Sequence, residues 1–452
     1  MTTTDELAEF VLAVEYDGLR EAVREELKKR VLDSLGIAIG ALDEGTPETV
    51  RATVREVSPD GPCHLWGSEE RASIPEATMY NTALTRYLDF MDSFLAPGET
   101  PHPSDNVAAV IACGEAEGAS GRELLEAIGV AYEIQGELAW NAPVRDRGFD
   151  HVTHTVISAT AGAGKVLGLD HEELRNAIGI AATANNALRV TRTEGINEWK
   201  GVASAHAARN GAYAAMLARN GMEGPTDVFE GRKGWQAVVS GPFEIDPDPG
   251  CGRVLETMTK RYVAETYAQS AIEGIVELAE REEIDPEEVS EIRLDTFAGA
   301  KLIIGGGEGS RYEVATKAEA DHSLPYMLAA ALIDRELTND AYDRERIRRA
   351  DVQSLLKRVD VEEDEELTER FEAGEMPAVI DISTDEGTTY RVEKSAFAGH
   401  PRNPMEWREI EAKFDTIVGE RYGADHKATI VGTVRDLESR ETNDLLALLD
   451  SG

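Results

Sequence analysis

The chain has 452 residues, with 86 Asp and Glu against 46 Lys and Arg and a formal net charge of −40. This balance excludes a nucleic-acid binder, which needs clustered Lys and Arg to displace phosphate counterions; a hydrophobic content of 42%, arranged in long periodic segments, excludes a wholly disordered acidic chain. No run of about 18 uncharged apolar residues is available to span a bilayer, so no membrane partner is expected and the length predicts two or three globular domains.

Met1 to Glu6 is acidic where a secretory leader would be basic and then apolar, which predicts a cytoplasmic protein. From Thr3 to about Gly250 the pattern predicts helix after helix. Leu7, Phe10, Val11 and Val14, then Val31, Leu32, Leu35 and Ile39, recur at helical spacing between polar flanks. Small residues fill Ala159 to Lys165 and Ala203 to Ala208, predicting close helix approach whose packing offsets the poor helix propensity of glycine. Gly162-Ala163-Gly164-Lys165 is not a phosphate loop, because the spacing and strand that should precede it are missing. Cys63, Cys113 and Cys251 are widely separated and odd in number, so buried thiols are expected in place of a disulfide framework or a zinc site.

Asp246 to Gly252 is too rich in Pro and Gly to continue a helix. Beyond it the pattern predicts a helix over Ala268 to Arg281, a strand over Glu291 to Phe297, and a hairpin of Ala378 to Ser383 and Thr388 to Glu393 around Asp385-Glu386-Gly387. Two helices, roughly 322–333 and 339–350, are expected between the strands, and Glu362 to Glu366 reads as a solvated acidic surface. After His400-Pro401-Arg402-Asn403-Pro404 the helical pattern returns through Trp407 to a leucine-rich C-terminus. The expected fold is mainly α: a large all-helical domain from residues 1–256 and 400–452, with an α/β domain, residues 257–399, inserted between them.

Four stretches carry residues suited to chemistry. Tyr87 to Ser93 is followed, after a Pro/Gly loop, by Pro101-His102-Pro103-Ser104. If the first segment is helical, Asp89, Asp92 and Ser93 share a face that the loop turns back beside His102; a carboxylate bonded to an imidazole fixes its tautomer and raises its pKa, which suits acid–base work. The plainer reading is a helix end with an ordinary loop histidine, and two Asp residues are too few for a magnesium cluster. Gly148-Phe149-Asp150-His151 precedes a small-residue helix. There His151 either faces the positive end of the helix dipole, held neutral to accept a proton, or joins His154 in satisfying backbone groups. Arg189 to Arg192 and Asn197 to Lys200 lead into the helix containing His206, where Lys200 either snorkels or anchors an anion. Ala320 to Tyr326, with His322, opens a helix of the α/β segment, and Tyr326 is either a core aromatic or a lid residue. No His-x-x-x-His or His-Glu-x-x-His pattern marks a metal site, and none is expected.

Taken in chain order, these stretches resemble the MmgE/PrpD family, which includes 2-methylcitrate dehydratase and cis-aconitate decarboxylase. The resemblance is carried by Leu88 to Asp92 with His102-Pro103-Ser104, by Gly148 to His151, by Lys200 with Ala207 to Gly211, and by Gly224-Pro225 and Phe229-Glu230-Gly231. It continues through Asp321 to Tyr326 and Gly399 to Pro404, and so covers essentially the whole chain. It implies a helical domain with an inserted lid domain, a site between them, a homodimer, and catalysis without metal or organic cofactor. The positions matching the family's site are Asp89, His102, His151, Lys200 and Tyr326, with Ser93 where relatives carry threonine. Tyr267 and Gln269 stand in a segment where relatives often place histidine, and this bears on substrate choice.

The expected function is a carbon–oxygen lyase that dehydrates a small 2-hydroxy tricarboxylate such as 2-methylcitrate. His102 or His151 serves as base or acid, Asp89 orients His102, Lys200 clamps carboxylates with Arg192, His322 binds substrate, and Tyr326 donates from the lid. The alternatives are a cis-aconitate decarboxylase on the same site and a non-catalytic acid-binding dimer.

Only 12 of the 46 basic residues are Lys, and carboxylate excess with scarce lysine resembles the proteins of salt-loving microbes; the plain alternative is an acidic mesophilic surface. Like charges that are screened over about 3 Å at 1 M salt repel over about 10 Å at 0.1 M. The melting temperature should therefore fall as salt is diluted from molar to about 0.1 M, and a melting temperature that stays flat or rises as salt is removed would make the acidic surface incidental.

Overall fold

The hydroxyl of Thr2 accepts the amide of Asp5, whose carboxylate accepts the amide of Thr2, and this capping box starts α1 (Thr3–Ala13). The computed structural model describes residues 2–193, 197–307 and 311–450. The chain is mainly α and divides into unit 1, Met1–Thr257 with Glu406–Gly452, and unit 2, Met258–Met405.

In unit 1, α1 is followed by α2 (Glu21–Gly40), α3 (Gly45–Val57), the short antiparallel pair β1 (Cys63–His64) and β2 (Arg71–Ala72), and α4 (Ile74–Tyr87). Then come β3 (Ser93–Phe94), α5 (Val107–Glu117), α6 (Gly121–Asn141), α7 (Val152–Val166), α8 (His171–Ala184), α9 (Val190–Thr193) and α10 (Ala203–Arg219). The apolar positions that predict α1 and α2 are buried. Among the described residues no helix is long and apolar enough to cross a membrane.

The small residues of α7 and α10 act as expected. Ala109, Ala159 and Ala208 meet in the core, and a Cβ on Gly211 would stand 2.9 Å from both the Ala159 Cβ and the Val156 carbonyl. Lys165, the last residue of the Gly-x-Gly-Lys sequence, donates to the Val14 carbonyl at 2.6 Å and so joins the start of the chain to α7. The three cysteines are free and buried, and burial pushes the Cys113 thiol up to about 12.

The helix expected to carry Asp89, Asp92 and Ser93 ends earlier. α4 stops at Tyr87 and Asp89 adopts a left-handed φ of 52°, so these residues lie in a loop and in β3, not on one helix face. The Arg86 guanidinium, bonded to Asp89 Oδ1 at 3.1 Å, holds this strained residue in place.

After β4 (Thr257–Met258), unit 2 runs through α11 (Gln269–Arg281), β5 (Val289–Thr296), α12 (Ala298–Ile303), α13 (Lys317–Ala320) and α14 (Leu324–Asp334). It continues with α15 (Arg344–Ile347), α16 (Ala350–Leu355), β6 (Val359–Glu363), α17 (Glu365–Glu372), β7 (Ala378–Thr384) and β8 (Thr389–Lys394). The sheet has the order β6-β5-β7-β8, with β5 parallel to β6 and antiparallel to β7, and α11 packs on β7 and β8. The single helix expected over 339–350 is broken, because Asp343 and Arg349 are extended and split it into a short turn, α15 and α16. The acidic run joins two elements. Glu362 and Glu363 end the edge strand β6, whose Val359 and Val361 are buried, and Asp364 caps α17 by accepting the Leu367 amide at 3.0 Å.

The boundary expected after Gly399 falls after Met405. Gly399 has a φ of 112°, and a Cβ there would stand 2.0 Å from the Thr259 carbonyl. It accepts the Thr259 amide and donates to Asn403, each at 2.8 Å, so the His400 to Pro404 turn belongs to unit 2.

The chain returns to unit 1 with α18 (Trp407–Val418), α19 (Ala424–Arg435) and α20 (Thr442–Leu446). α18 packs on α2, with the Phe414 ring 2.8 Å from where a Cβ on Gly36 would sit. Beside it the buried Lys413 ammonium lies 2.7 Å from Asp33 Oδ1, donates to the Phe90 carbonyl at 3.0 Å and sits 4.0 Å from the Phe90 ring centre. Removing one partner of such a pair leaves a buried charge uncompensated. Lys413→Met should therefore cost about 3 kcal/mol in denaturant unfolding, and adding Asp33→Asn should recover most of that loss.

Candidate active site

The loop from Leu88 to His102 is organised by Asp92. Its fully buried carboxylate accepts the Ser104 amide at 3.1 Å and hydroxyl at 2.7 Å through Oδ1, and the Tyr132 hydroxyl of α6 at 2.8 Å through Oδ2. Its main-chain carbonyl lies 2.6 Å from His102 Nδ1, and the Ser93 hydroxyl lies 3.3 Å from the same nitrogen. A carbonyl can only accept, so Nδ1 carries the proton and Nε2 holds the lone pair of the neutral ring. The group that meets Nδ1 is thus the backbone carbonyl of Asp92.

His151 ends the turn before α7, and its ring centre lies 5.4 Å from that of His102 with the planes nearly perpendicular. It is buried, and Nδ1 has no hydrogen-bond partner among the described residues. Burial, reinforced by the charges of Arg192 and Arg86, holds its pKa well below the usual histidine value, so the ring is neutral at physiological pH. The neighbouring Asp150 is buried too. Its carboxylate accepts Arg192 Nε at 2.5 Å, Arg192 Nη2 at 3.3 Å and the Val152 amide at 3.2 Å. Arg192, expected as a carboxylate clamp, is therefore anchored on Asp150.

Lys200 stands on a short turn, Glu198–Gly201, capped by the Asn197 side chain, and its Nζ lies 3.6 Å from Asp89 Oδ2. Asp89 is thus flanked by Arg86 on one oxygen and Lys200 on the other. Unit 1 accordingly brings together Asp89, Ser93, His102, His151, Arg192 and Lys200 through the loops that follow α4 and precede α7 and α10.

The remaining two sequence candidates lie in unit 2. His322 Nδ1 is 2.5 Å from Asp321 Oδ1. Tyr326 is fully buried in α14, and its hydroxyl donates to the Ala341 carbonyl. In this structure its proton goes to a backbone carbonyl of unit 2, whereas the sequence predicts donation from the lid. Gln269 is likewise committed. Its Oε1 accepts the Arg261 and Tyr262 amides at 3.0 Å, and its Nε2 donates to the carbonyls of Tyr262 at 3.0 Å and Ala264 at 3.3 Å, clasping that loop.

The chain matches the models of the MmgE/PrpD N-terminal domain over residues 5–248 and of the MmgE/PrpD C-terminal domain over residues 262–439. It belongs to the MmgE/PrpD family. Among its relatives are the 2-methylcitrate dehydratase of Cupriavidus necator, 26% identical over 92% of this chain and 90% of that protein, and the cis-aconitate decarboxylase of Mus musculus, 25% identical over 100% and 94%. A mitochondrial 2-methylcitrate dehydratase of Yarrowia lipolytica is 28% identical over 68% and 62%. Among the described residues of this family member, no group of three or more His, Cys, Asp or Glu side chains is arranged to hold a metal ion.

Sequence reasoning missed Arg86 and Asp105 and undervalued Asp92 and Asp150. Asp92 and Asp150 stand inside the quoted motifs, so position was a usable signal for them. Asp105, two residues past the His-Pro motif, shows its character only through burial. Both of its oxygens lack hydrogen-bond partners among the described residues, and burial, outweighing the nearby Arg86, pushes its carboxyl up to about 7.

An acid raised in the fold is harder to ionise there than in the unfolded chain, where its value is near 3.8. Asp105 therefore lowers stability progressively as pH rises from about 4 to 7, and the penalty, up to about 4 kcal/mol, is complete above 7. Asp105→Asn should raise the melting temperature at pH 8 and much less at pH 5, read from thermal melts at matched ionic strength.

Proposed function

We propose that this protein is a lyase that removes water from a small 2-hydroxy tricarboxylate of the 2-methylcitrate type. The observation that carries the reading is the pairing of His102 and His151, 5.4 Å apart between ring centres, beside Lys200 and the anchored Arg192. Such a substrate must lose a weakly acidic proton α to a carboxylate, so a basic nitrogen has to meet it and positive charge has to meet the electrons left behind.

His102 is the base. With Nδ1 held by the Asp92 carbonyl, its Nε2 lone pair faces away from that bond, and the same carbonyl stabilises the imidazolium formed when Nε2 takes the proton. The departing hydroxyl needs one proton to leave as water, and the proton gained at His102 balances that need. His151, kept neutral, polarises substrate as a hydrogen-bonding group without adding charge. Lys200 meets the carboxylate on which charge develops, with Asp89 holding its ammonium in place. This chemistry calls on no metal or organic cofactor, and a cytoplasmic homodimer is part of the reading.

Decarboxylation of cis-aconitate is the second reading, favoured by the match to the mouse decarboxylase across 100% of this chain. Incubation with 2-methylcitrate, citrate and cis-aconitate, following water loss against carbon dioxide release, separates the two; turnover of none of them would leave a non-catalytic acid-binding protein. Within the dehydratase reading, Lys200→Ala should keep the fold and lower kcat/KM about 100- to 1,000-fold, the range for losing one preorganised charge-stabilising group. Near wild-type kcat/KM in that variant would remove Lys200 from the chemistry.

A further inference from the structure

Two arginines of unit 1 have no role in the account above. Arg145 opens the turn Arg145–Arg147 that leads to Gly148, and Arg189 donates its amide to the Gly148 carbonyl at 2.9 Å. A bridge between Phe149 and Leu188 fixes the two segments side by side. Both side chains are half-buried, and Arg145 Nε is fully buried without a hydrogen-bond partner. Among the described residues neither guanidinium has a carboxylate within 4 Å, although the chain carries 86 acidic side chains.

That arrangement costs energy in the empty protein. Burial, and next the charge of Arg145, lowers the pKa of Arg189, so the two like charges feel one another in a partly desolvated place. The nearby carboxylates are already engaged. Glu99 Oε1 accepts the amides of Val144 and Arg145 at 2.7 and 2.6 Å, and Asp150 is held by Arg192. Arg145 also acts on His151, which locates the pair beside the histidines. An anion placed between these two guanidinium groups, which have no carboxylate partner among the described residues, would relieve the repulsion and give the buried Arg145 Nε an acceptor.

We propose that Arg145 and Arg189 form a carboxylate subsite that holds a carboxylate of the substrate remote from the reacting carbon and so selects tricarboxylates over shorter acids. The identity of the ligand rests on the lyase reading; the anion subsite itself rests on the unpaired arginines.

The test is calorimetric titration, at fixed ionic strength, of wild type and the Arg145→Gln/Arg189→Gln double variant with propane-1,2,3-tricarboxylate and with succinate. Wild type should bind the tricarboxylate more tightly than succinate, and the double variant should lose about tenfold to a hundredfold in tricarboxylate affinity, closing the gap. A gap of unchanged size, or a wild type that binds neither acid, overturns the proposal. Should the double variant fail a ligand-free thermal melt, Arg145→Lys and Arg189→Lys replace it. These keep the charge but lose the planar fork, so they should narrow the gap, and an unchanged gap in both again overturns the proposal. Turnover measured on the same preparations keeps the two ideas apart. Turnover with an unchanged gap sinks the subsite and spares the lyase reading, whereas a closed gap without turnover sinks the lyase reading and spares the subsite.

Discussion

The buried carboxylate of Asp92 is the constraint on which the arrangement of unit 1 depends. It takes a main-chain amide and a hydroxyl from Ser104 and a phenol from Tyr132, and its own carbonyl takes the imidazole of His102. One residue thus joins the loop after α4, the turn before α5 and the middle of α6. A carboxylate in a low-dielectric interior is tolerated only when donors surround it, and once they do, none of them can move alone. The tautomer of His102 follows from that rigidity, as does the position of Ser93 beside it.

Around this anchor the charges sort themselves by burial. The surface carries the acidic excess, while unit 1 gathers Arg86, Arg145, Arg189, Arg192 and Lys200 near two buried histidines and a raised Asp105. Arg86 and Arg192 are neutralised by Asp89 and Asp150, and among the described residues Arg145 and Arg189 have no such carboxylate. An acidic chain that must receive an anion needs such a locally inverted field, because surface repulsion acts over a Debye length while a desolvated guanidinium acts at contact.

Unit 2 answers to different demands. Tyr267, Phe297 and Phe371 form an aromatic cluster, with Phe297 and Phe371 stacked at 4.0 Å, and the Tyr326 and Tyr342 hydroxyls are consumed by backbone carbonyls. The polar groups named here close loops of the unit on themselves, which explains why a tyrosine and a glutamine in motif positions have structural work there.

The sequence by itself determined most of the helices of unit 1, three of the four strands of the unit 2 sheet (β5, β7 and β8, but not the edge strand β6), the family and most of the residues gathered around His102. Apolar periodicity and small-residue runs are local signals, and a motif series in the right order is a one-dimensional record of a three-dimensional site. What only tertiary structure decided was the partner of each group. The carbonyl that orients His102, the acid that anchors Arg192, the proton that Tyr326 gives to Ala341 and the burial that raises Asp105 all involve neighbours distant in sequence or the loss of solvent. Neither leaves a pattern in the chain, because desolvation and hydrogen-bond geometry exist only after the helices have packed.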